Sequence, residues 1–314
     1  METESSNNGS VTVRPDRMWK LNQRSLPTGR YTLIMGVINL TADSFSDGGR
    51  YLDPADAVAQ GLYLLDEGAD ILDLGAESTR PGSQAGDPAI AAVSAQQEQD
   101  QLLPVIEGIF RERPEAILSI DTYKAATARA ALAAGAAIIN DVSGFTWDNE
   151  IAAACAEAQC GVVLMHTRGT PQEWKSQARQ SGSELLAMVS TGLAESLRIA
   201  EAAGIAAERI VLDPGYGFGK KFEENYALLA RQAELLSFGR PLLAGLSRKS
   251  FLQRTLAKAA DSELEKASEE SRETASIAAL TTAILHGASI VRVHRVRQAV
   301  EAAAIADAVL AAGR

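Results

Sequence analysis

Met35-Gly-Val-Ile-Asn-Leu-Thr-Ala-Asp-Ser-Phe-Ser-Asp-Gly-Gly49 breaks an apolar run, 32–38, into a loop of small polar residues closed by paired glycines. A buried strand whose C-terminal tip opens onto a ligand site reads this way. The layout recurs at Leu72-Asp73-Leu74-Gly75-Ala76-Glu77-Ser78-Thr79-Arg80-Pro81-Gly82 and at Leu118-Ser119-Ile120-Asp121. It returns at Ile138-Ile139-Asn140-Asp141, Val211-Leu212-Asp213-Pro214-Gly215 and Leu246-Ser247-Arg248-Lys249-Ser250. Polar chemistry collects just past each apolar run.

Working outward, candidate strands centre on 32–38, 70–74, 116–121, 136–140, 161–165, 209–213, 241–246 and 289–293. The intervals read as helices. Asp53 is a good N-cap, Pro54 fits the first helical position, and Val58, Leu62 and Leu65 make an apolar stripe. Ile277, Leu280 and Ile284 do the same before the last strand. Strands alternating with helices predict a parallel sheet, and eight units predict closure into a (β/α)8 TIM barrel in one domain. A doubly wound sheet is the alternative, but it has fewer strands and one dominant glycine loop. The 314 residues accommodate such a barrel with trimmings. Residues 1–12 are polar and are expected as a disordered tail; 13–30, with Trp19 and Leu21, as an extension closing the bottom of the barrel; 31–314 as the barrel itself.

A formal net charge of -10 argues against nonspecific nucleic-acid binding. Distant carboxylates are screened beyond about 8 Å at physiological salt, so local cations decide whether an anion binds. The two cysteines, Cys155 and Cys160, have no further Cys or His cluster to complete a zinc site and read as unreactive structural thiols. No stretch has the character of a signal peptide or a membrane span, which leads us to expect a cytoplasmic protein with no membrane partner.

Two familiar motifs fail. Gly215-Tyr-Gly-Phe-Gly-Lys220 suggests a phosphate loop, but Pro214 and Lys221 stand where the spacing requires glycine and Ser or Thr. Gly245-Leu-Ser247-Arg-Lys249 lacks the second glycine of a nucleophile elbow. What remains suits a flat heterocycle. Asp121, Asn140 and Asp213 at strand tips supply acceptors for an exocyclic amine and ring N–H, each charge-assisted bond contributing about 1.5–3 kcal/mol. Arg80, Lys249, Arg292 and His294 lie on other loops of the same face, suited to a phosphate or carboxylate. Asn39 offers a neutral oxygen to Mg²⁺. Asp73, mid-strand, reads equally as site group or buried structural partner, and Arg248 as ligand contact or support. His166 and His286 read as structural.

These motifs, in this order after successive strands, resemble the dihydropteroate synthase family over residues 31–314. The resemblance implies a transferase of folate biosynthesis. It would condense 6-hydroxymethyl-7,8-dihydropterin pyrophosphate with p-aminobenzoate, releasing pyrophosphate by an SN1-like course with Mg²⁺. It implies that Asp121, Asn140, Asp213 and Lys249 hold the pterin between Met165 and Phe218, with Asn39, Arg292 and His294 at the pyrophosphate and Mg²⁺. Phe45, Thr79, Arg80, Pro81 and Ser250 would form the p-aminobenzoate subsite, and Ser247 a further substrate contact. Asp121, Asp213, Lys249 and Arg80 are the expected catalytic set. Sulfonamides should compete with p-aminobenzoate, and a homodimer through C-terminal helices is expected.

The chain departs from the family pattern at Ala42, where proline is usual, and at Arg295, where aspartate is usual. It departs again at 83–97, a second loop that looks long. Ala42 and Arg295 keep open a pterin-binding paralogue without turnover. A methyltransferase acting on methyltetrahydrofolate shares barrel and pocket but leaves Ser78-Thr79-Arg80-Pro81 and Arg292/His294 unexplained.

Overall fold

The computed structural model describes residues 14–41, 53–79, 83–86, 93–259 and 268–313. A hairpin comes first: β1 (Arg17–Lys20) pairs antiparallel with β2 (Ser25–Thr28). Eight parallel strands follow: β3 (Leu33–Asn39), β4 (Ile71–Gly75), β5 (Leu118–Asp121), β6 (Ile138–Asp141), β7 (Gly161–Met165), β8 (Ile210–Asp213), β9 (Leu242–Ala244) and β10 (Ala288–Val293). They close in sequence order, β10 pairing with β3, so the barrel has no open edge. This is the TIM barrel that the alternating pattern predicts.

Helices α1 (Pro54–Asp66), α2 (Ala95–Glu112), α3 (Ala125–Ala133), α4 (Ile151–Ala158) and α5 (Gly182–Ala202) wrap the first strands. Helices α6 (Phe222–Arg231), α7 (Ser250–Ala259), α8 (Glu269–Leu285) and α9 (Val296–Ala312) complete the ring. The Asp53 side chain caps α1 by accepting from Ala55 N at 2.8 Å, with Pro54 inside the first turn.

Two readings of the sequence are corrected. The buried face of α1 is Ala57, Gly61 and Leu64, one position away from the predicted stripe; Val58, Leu62 and Leu65 are only half-buried. The helix lies so close to the sheet at Gly61 that an added Cβ would meet Ile109, Ile38 and Leu72 at 3.0–3.3 Å. Two small residues therefore share the inward face with Leu64. The second loop also ends early. Ser94 and Gln97 form a capping box, and α2 begins at Ala95.

The barrel interior is layered. Its lower layer is apolar: Leu33, Met35, Ile71, Ile138, Val163, Val211, Leu243 and Ile290 pack with Trp19 and Leu21 from the hairpin. Trp19 is fully buried and donates Nε1–H to Arg209 O at 2.8 Å, so the hairpin plugs the N-terminal mouth. Arg14, buried, ties this end down through Asp307, Thr32 Oγ1 and Ala288 O. Two residues further along each strand, the side chains face inward again, one layer higher. There Ile71 gives way to Asp73, Ile117 to Ser119, Ile138 to Asn140, Val211 to Asp213 and Ile290 to Arg292. The same period of two that builds the plug delivers the polar groups. Cys155 and Cys160 are free, buried thiols.

Candidate active site

Inward-facing polar residues at the C-terminal ends of parallel strands meet in a cleft enclosing about 480 Å³, its open mouth included. Asp121, Asn140, Asp213 and Lys249 all line it. Met165 and Phe218 form apolar walls, and Thr79, Ser247, Arg292 and His294 complete the predicted residues found there. Val142, Tyr216 and Gly245 also line it and were not predicted. An apolar side chain and a glycine carry no chemical signal in a sequence, and Tyr216 sat inside the motif set aside as a failed phosphate loop. The remaining predicted residues are elsewhere. Asn39 is half-buried at the tip of β3, in register with Gly75. Ser250 is exposed in the first turn of α7 and does not line the cleft. Phe45, Arg80, Pro81 and Ala42 lie outside the described residues.

The floor on one side is a carboxylate–guanidinium network. Arg292 donates Nε–H to Asp73 at 2.5 Å and Nη2–H to Asp121 at 2.7 Å. Asp73, fully buried, also accepts from Ser119 Oγ at 2.6 Å and Asn140 Nδ2 at 3.2 Å. Asp73 is thus the buried partner that orients both Asn140 and Arg292. One guanidinium cannot neutralise two carboxylates. Burial, against the pull of Arg292, pushes the Asp121 carboxyl up to about 7, and the Asp73 charge adds to it. The Arg292 guanidinium, facing both acids, stays firmly protonated. Two of its three nitrogens serve these carboxylates, and Arg292 lines the cleft as well.

The opposite side belongs to the β8 and β9 loops. Asp213 ends β8 and accepts from Gly215 N at 2.7 Å. Burial raises its pKa to about 6, partly offset by that bond and by Lys249, Lys220 and Arg292. Burial likewise lowers Lys249 to about 8, with Asp213 opposing the shift. Lys249 Nζ sits 4.1 Å from the Phe218 ring centroid, a cation–π contact that also fixes the wall. Phe218 is braced from behind by Trp174, edge-to-face at 5.2 Å. Gly217, at φ +83°, lies where a Cβ would press on the Lys249 stem at 3.3 Å. Beyond them Ser247 Oγ and His294 Nδ1 are 3.0 Å apart, and His294 N donates to Ser247 Oγ at 3.4 Å.

Arg295 points away from this cluster. It pairs with Glu269 at 2.5 Å, and Glu269 also meets Arg248 at 3.3 Å. The positive charge that Arg295 brings where the family usually has aspartate is therefore answered on the outer side, at the start of α8. Arg248 is a support: it takes φ +59°, and its N–H donates to Ser276 Oγ at 3.0 Å, which aims Ser247 and Lys249 inward. Neither remaining histidine is aimed at the cleft as a reacting group: His166 is caged by Lys220, and His286 caps α8.

The cleft can therefore hold a flat, amine-bearing ring between Met165 and Phe218, with acceptors on two sides and a lysine beside it. Comparison with known proteins agrees. Residues 35–294 match the family model described as "Pterin binding enzyme". The dihydropteroate synthase of Mycobacterium leprae is 44% identical over 280 residues, 89% of this chain and 94% of that protein. Among solved structures, Yersinia pestis dihydropteroate synthase in complex with a sulfonamide drug superposes with a TM-score of 0.82 at 34% identity. That match covers 94% of this chain and 99% of the other. The Xanthomonas albilineans enzyme with 4-aminobenzoic acid gives a TM-score of 0.79 at 38% identity, covering 95% and 99%. The chain belongs to the dihydropteroate synthase family of pterin-binding enzymes.

Proposed function

We infer that this chain condenses 6-hydroxymethyl-7,8-dihydropterin pyrophosphate with p-aminobenzoate, giving 7,8-dihydropteroate and pyrophosphate in folate biosynthesis. The observation that carries the reading is the convergence of Asp121, Asn140, Asp213 and Lys249, from four different strand ends, in one cleft. Asp213 accepts from the pterin's amine and ring N–H, Asn140 is held by Asp73 to face the same ring, and Lys249 donates to a ring acceptor. Met165 and Phe218 flank the plane. Thr79, at the root of the second loop, marks the side where p-aminobenzoate enters, with Arg80, Pro81 and Phe45 assigned there from the family pattern. The Xanthomonas albilineans relative with 4-aminobenzoic acid supports that second subsite.

The reaction needs no covalent nucleophile. Pyrophosphate leaves first, in an SN1-like step, and the carboxylates of Asp213 and Asp121 favour the positive charge that develops on the pterin methylene. The aniline nitrogen then attacks, positioned beside it. Among the described residues no group of three or more His, Cys, Asp and Glu gathers as a metal cage. A lone neutral oxygen such as that of Asn39 fits Mg²⁺ when phosphate and water complete its octahedron. Asn39 would hold the ion, with His294 and Ser247 near the same pyrophosphate; bound there, the ion supplies charge neutralisation to the leaving group.

Sulfonamides shaped like p-aminobenzoate should compete for its subsite, as the sulfonamide complex of the Yersinia pestis relative supports. The protein is read as cytoplasmic, in keeping with two unbridged thiols, and no described helix is long and apolar enough to cross a membrane. A homodimer through the C-terminal helices is supported by Ile305 and Val309, one turn apart and exposed on α9. The test of the reaction is a coupled pyrophosphate assay. Sustained release over many turnovers should require the pterin pyrophosphate, p-aminobenzoate and Mg²⁺ together; no release under those conditions would leave a pterin-binding protein without turnover.

A further inference from the structure

The glycine loop that fails as a phosphate cradle is built the other way round. In a phosphate loop the backbone N–H groups face the ligand. Here they are committed within the fold: Gly215 N donates to Asp213, Gly217 N to Asn225 Oδ1 at 2.7 Å, and Phe218 N to Gly215 O at 3.2 Å. The carbonyls turn inward instead, and what they surround is the lysine that closes the motif. Lys220 Nζ lies 2.7 Å from Gly215 O, 3.1 Å from His166 O and 3.3 Å from Phe218 O. His166 Nδ1 completes the cage at 2.9 Å. The residue is 7% exposed. Burial and the neighbouring ammonium hold the His166 imidazole well below its ordinary pKa, so its ring is neutral and Nδ1 accepts.

The three backbone acceptors come from two separate strand tips. His166 follows β7 directly after Met165, while Gly215 and Phe218 follow β8 after Asp213. The approach is close: a Cβ at Gly215 would fall 1.9 Å from His166 O, and the residue takes φ +70°. Three of the groups that shape the cleft, Met165, Phe218 and Asp213, are thus each within three residues of a carbonyl held by this one ammonium.

The geometry points to Lys220 as a positioning residue for the pterin site: its ammonium, held as an internal cation, ties the β7 and β8 tips together and so sets the spacing of Met165, Phe218 and Asp213 around the ring. This rests on the pterin reading of the cleft and adds a residue that touches no substrate. The cost of keeping that charge buried is visible in its pKa, lowered by desolvation to about 7 although Asp213 and Glu224 favour the charged form.

The test uses Lys220→Ala, which leaves a gap the length of a propylammonium ion, and Lys220→Met, which keeps the apolar stem without the charge. Affinity for 6-hydroxymethyl-7,8-dihydropterin pyrophosphate is measured by calorimetry, and KM for p-aminobenzoate at saturating pterin substrate. Both variants should lose about tenfold to a hundredfold in pterin affinity, the scale of a mispositioned site. The p-aminobenzoate KM should stay within about twofold. Propylammonium should restore pterin affinity to Lys220→Ala, while 1-propanol, of similar size but neutral, should not. Unchanged pterin affinity in a folded Lys220→Met, equal losses for both substrates, or equal rescue by the alcohol would overturn the proposal. If the wild-type protein fails to bind the pterin substrate, the reading of the cleft itself falls, and the role of Lys220 with it.

Discussion

The lower and upper layers of the barrel interior are made by the same strands, two residues apart, yet they do opposite things. In the lower layer Ile71, Ile138, Val211 and Ile290 pack on Trp19 and Leu21. In the upper layer Asp73, Asn140, Asp213 and Arg292 replace them; Asp73 holds Asn140 and Arg292, and Asp213 accepts from Gly215 N. The lower layer stabilises by removing apolar surface from water, about 1.5–3 kcal/mol for each large side chain. The upper layer gives up that gain and carries buried charge, which is tolerated only because each member has a partner. Stability and chemistry are thus divided along the barrel axis, and the closed lower end supports the polar upper one.

The largest effect should come from moving a charge down one layer. Val211→Asp would place a carboxylate among apolar side chains with no partner. That cost is several kcal/mol, comparable with the whole stability of about 5–15 kcal/mol. The variant should not fold cooperatively, as followed by circular dichroism during urea titration. A folded, soluble Val211→Asp protein would show that the lower layer is more permissive than a close-packed plug.

Removing a partner within the upper layer should cost less but still register. Arg292→Met leaves Asp73 and Asp121 facing each other without a cation, and about 3–5 kcal/mol of stability should be lost. Adding Asp73→Asn should recover part of it. If the double variant is no more stable than the single one, the network is not the unit described here.

The layers should also respond differently to pH. Asp213 is raised from 3.8 to about 6 in the folded state, so folding favours its protonated form. Its contribution to stability is present below about 4 and is lost as pH rises through about 6. Pterin binding runs in the opposite sense, because the ring needs the ionised carboxylate. Lys249, lowered to about 8, loses its charge above that value. Asp121 and Lys220 both titrate at about 7, inside the span set by Asp213 and Lys249, so pterin affinity should peak at about 7 and fall on both sides. Asp213→Asn should flatten the acid limb at about 6 and Lys249→Met the alkaline limb at about 8, leaving the steps of Asp121 and Lys220 at about 7, as read by calorimetry across pH. The smallest effect is expected at Arg295. Because Glu269 already answers its charge, Arg295→Asp should change kcat/KM by no more than about twofold, in line with a surface ion pair.

Much of this arrangement is written locally. Asp121, Asn140 and Asp213 announce themselves as polar residues ending short apolar runs, and the eight runs give the barrel. The inward positions follow from the period of two once a strand is placed. The network around Arg292 is different: its two carboxylate partners are 219 and 171 residues away in the chain, and only closure of the barrel brings them together. Asp73 looked undecided because a carboxylate inside a buried strand needs a partner that the sequence does not name. The α1 face was misjudged for the reverse reason. Close helix–sheet contact selected glycine and alanine, which a hydrophobicity pattern ranks below the leucines beside them. Lys220 was passed over because its motif was judged against phosphate loops, whereas its partners are backbone carbonyls that carry no side-chain signature.

The most direct test of the central claim, that the upper layer is a pterin site built on an apolar plug, is the calorimetric binding of 6-hydroxymethyl-7,8-dihydropterin pyrophosphate to wild type and Asp213→Asn at pH 7. The wild type should bind stoichiometrically and the variant should lose at least about tenfold in affinity, one charge-assisted hydrogen bond or more. The variant's melting temperature should be equal or higher, since a buried charge has been removed. Equal affinity in the two proteins, or a loss accompanied by unfolding of the variant, would contradict it.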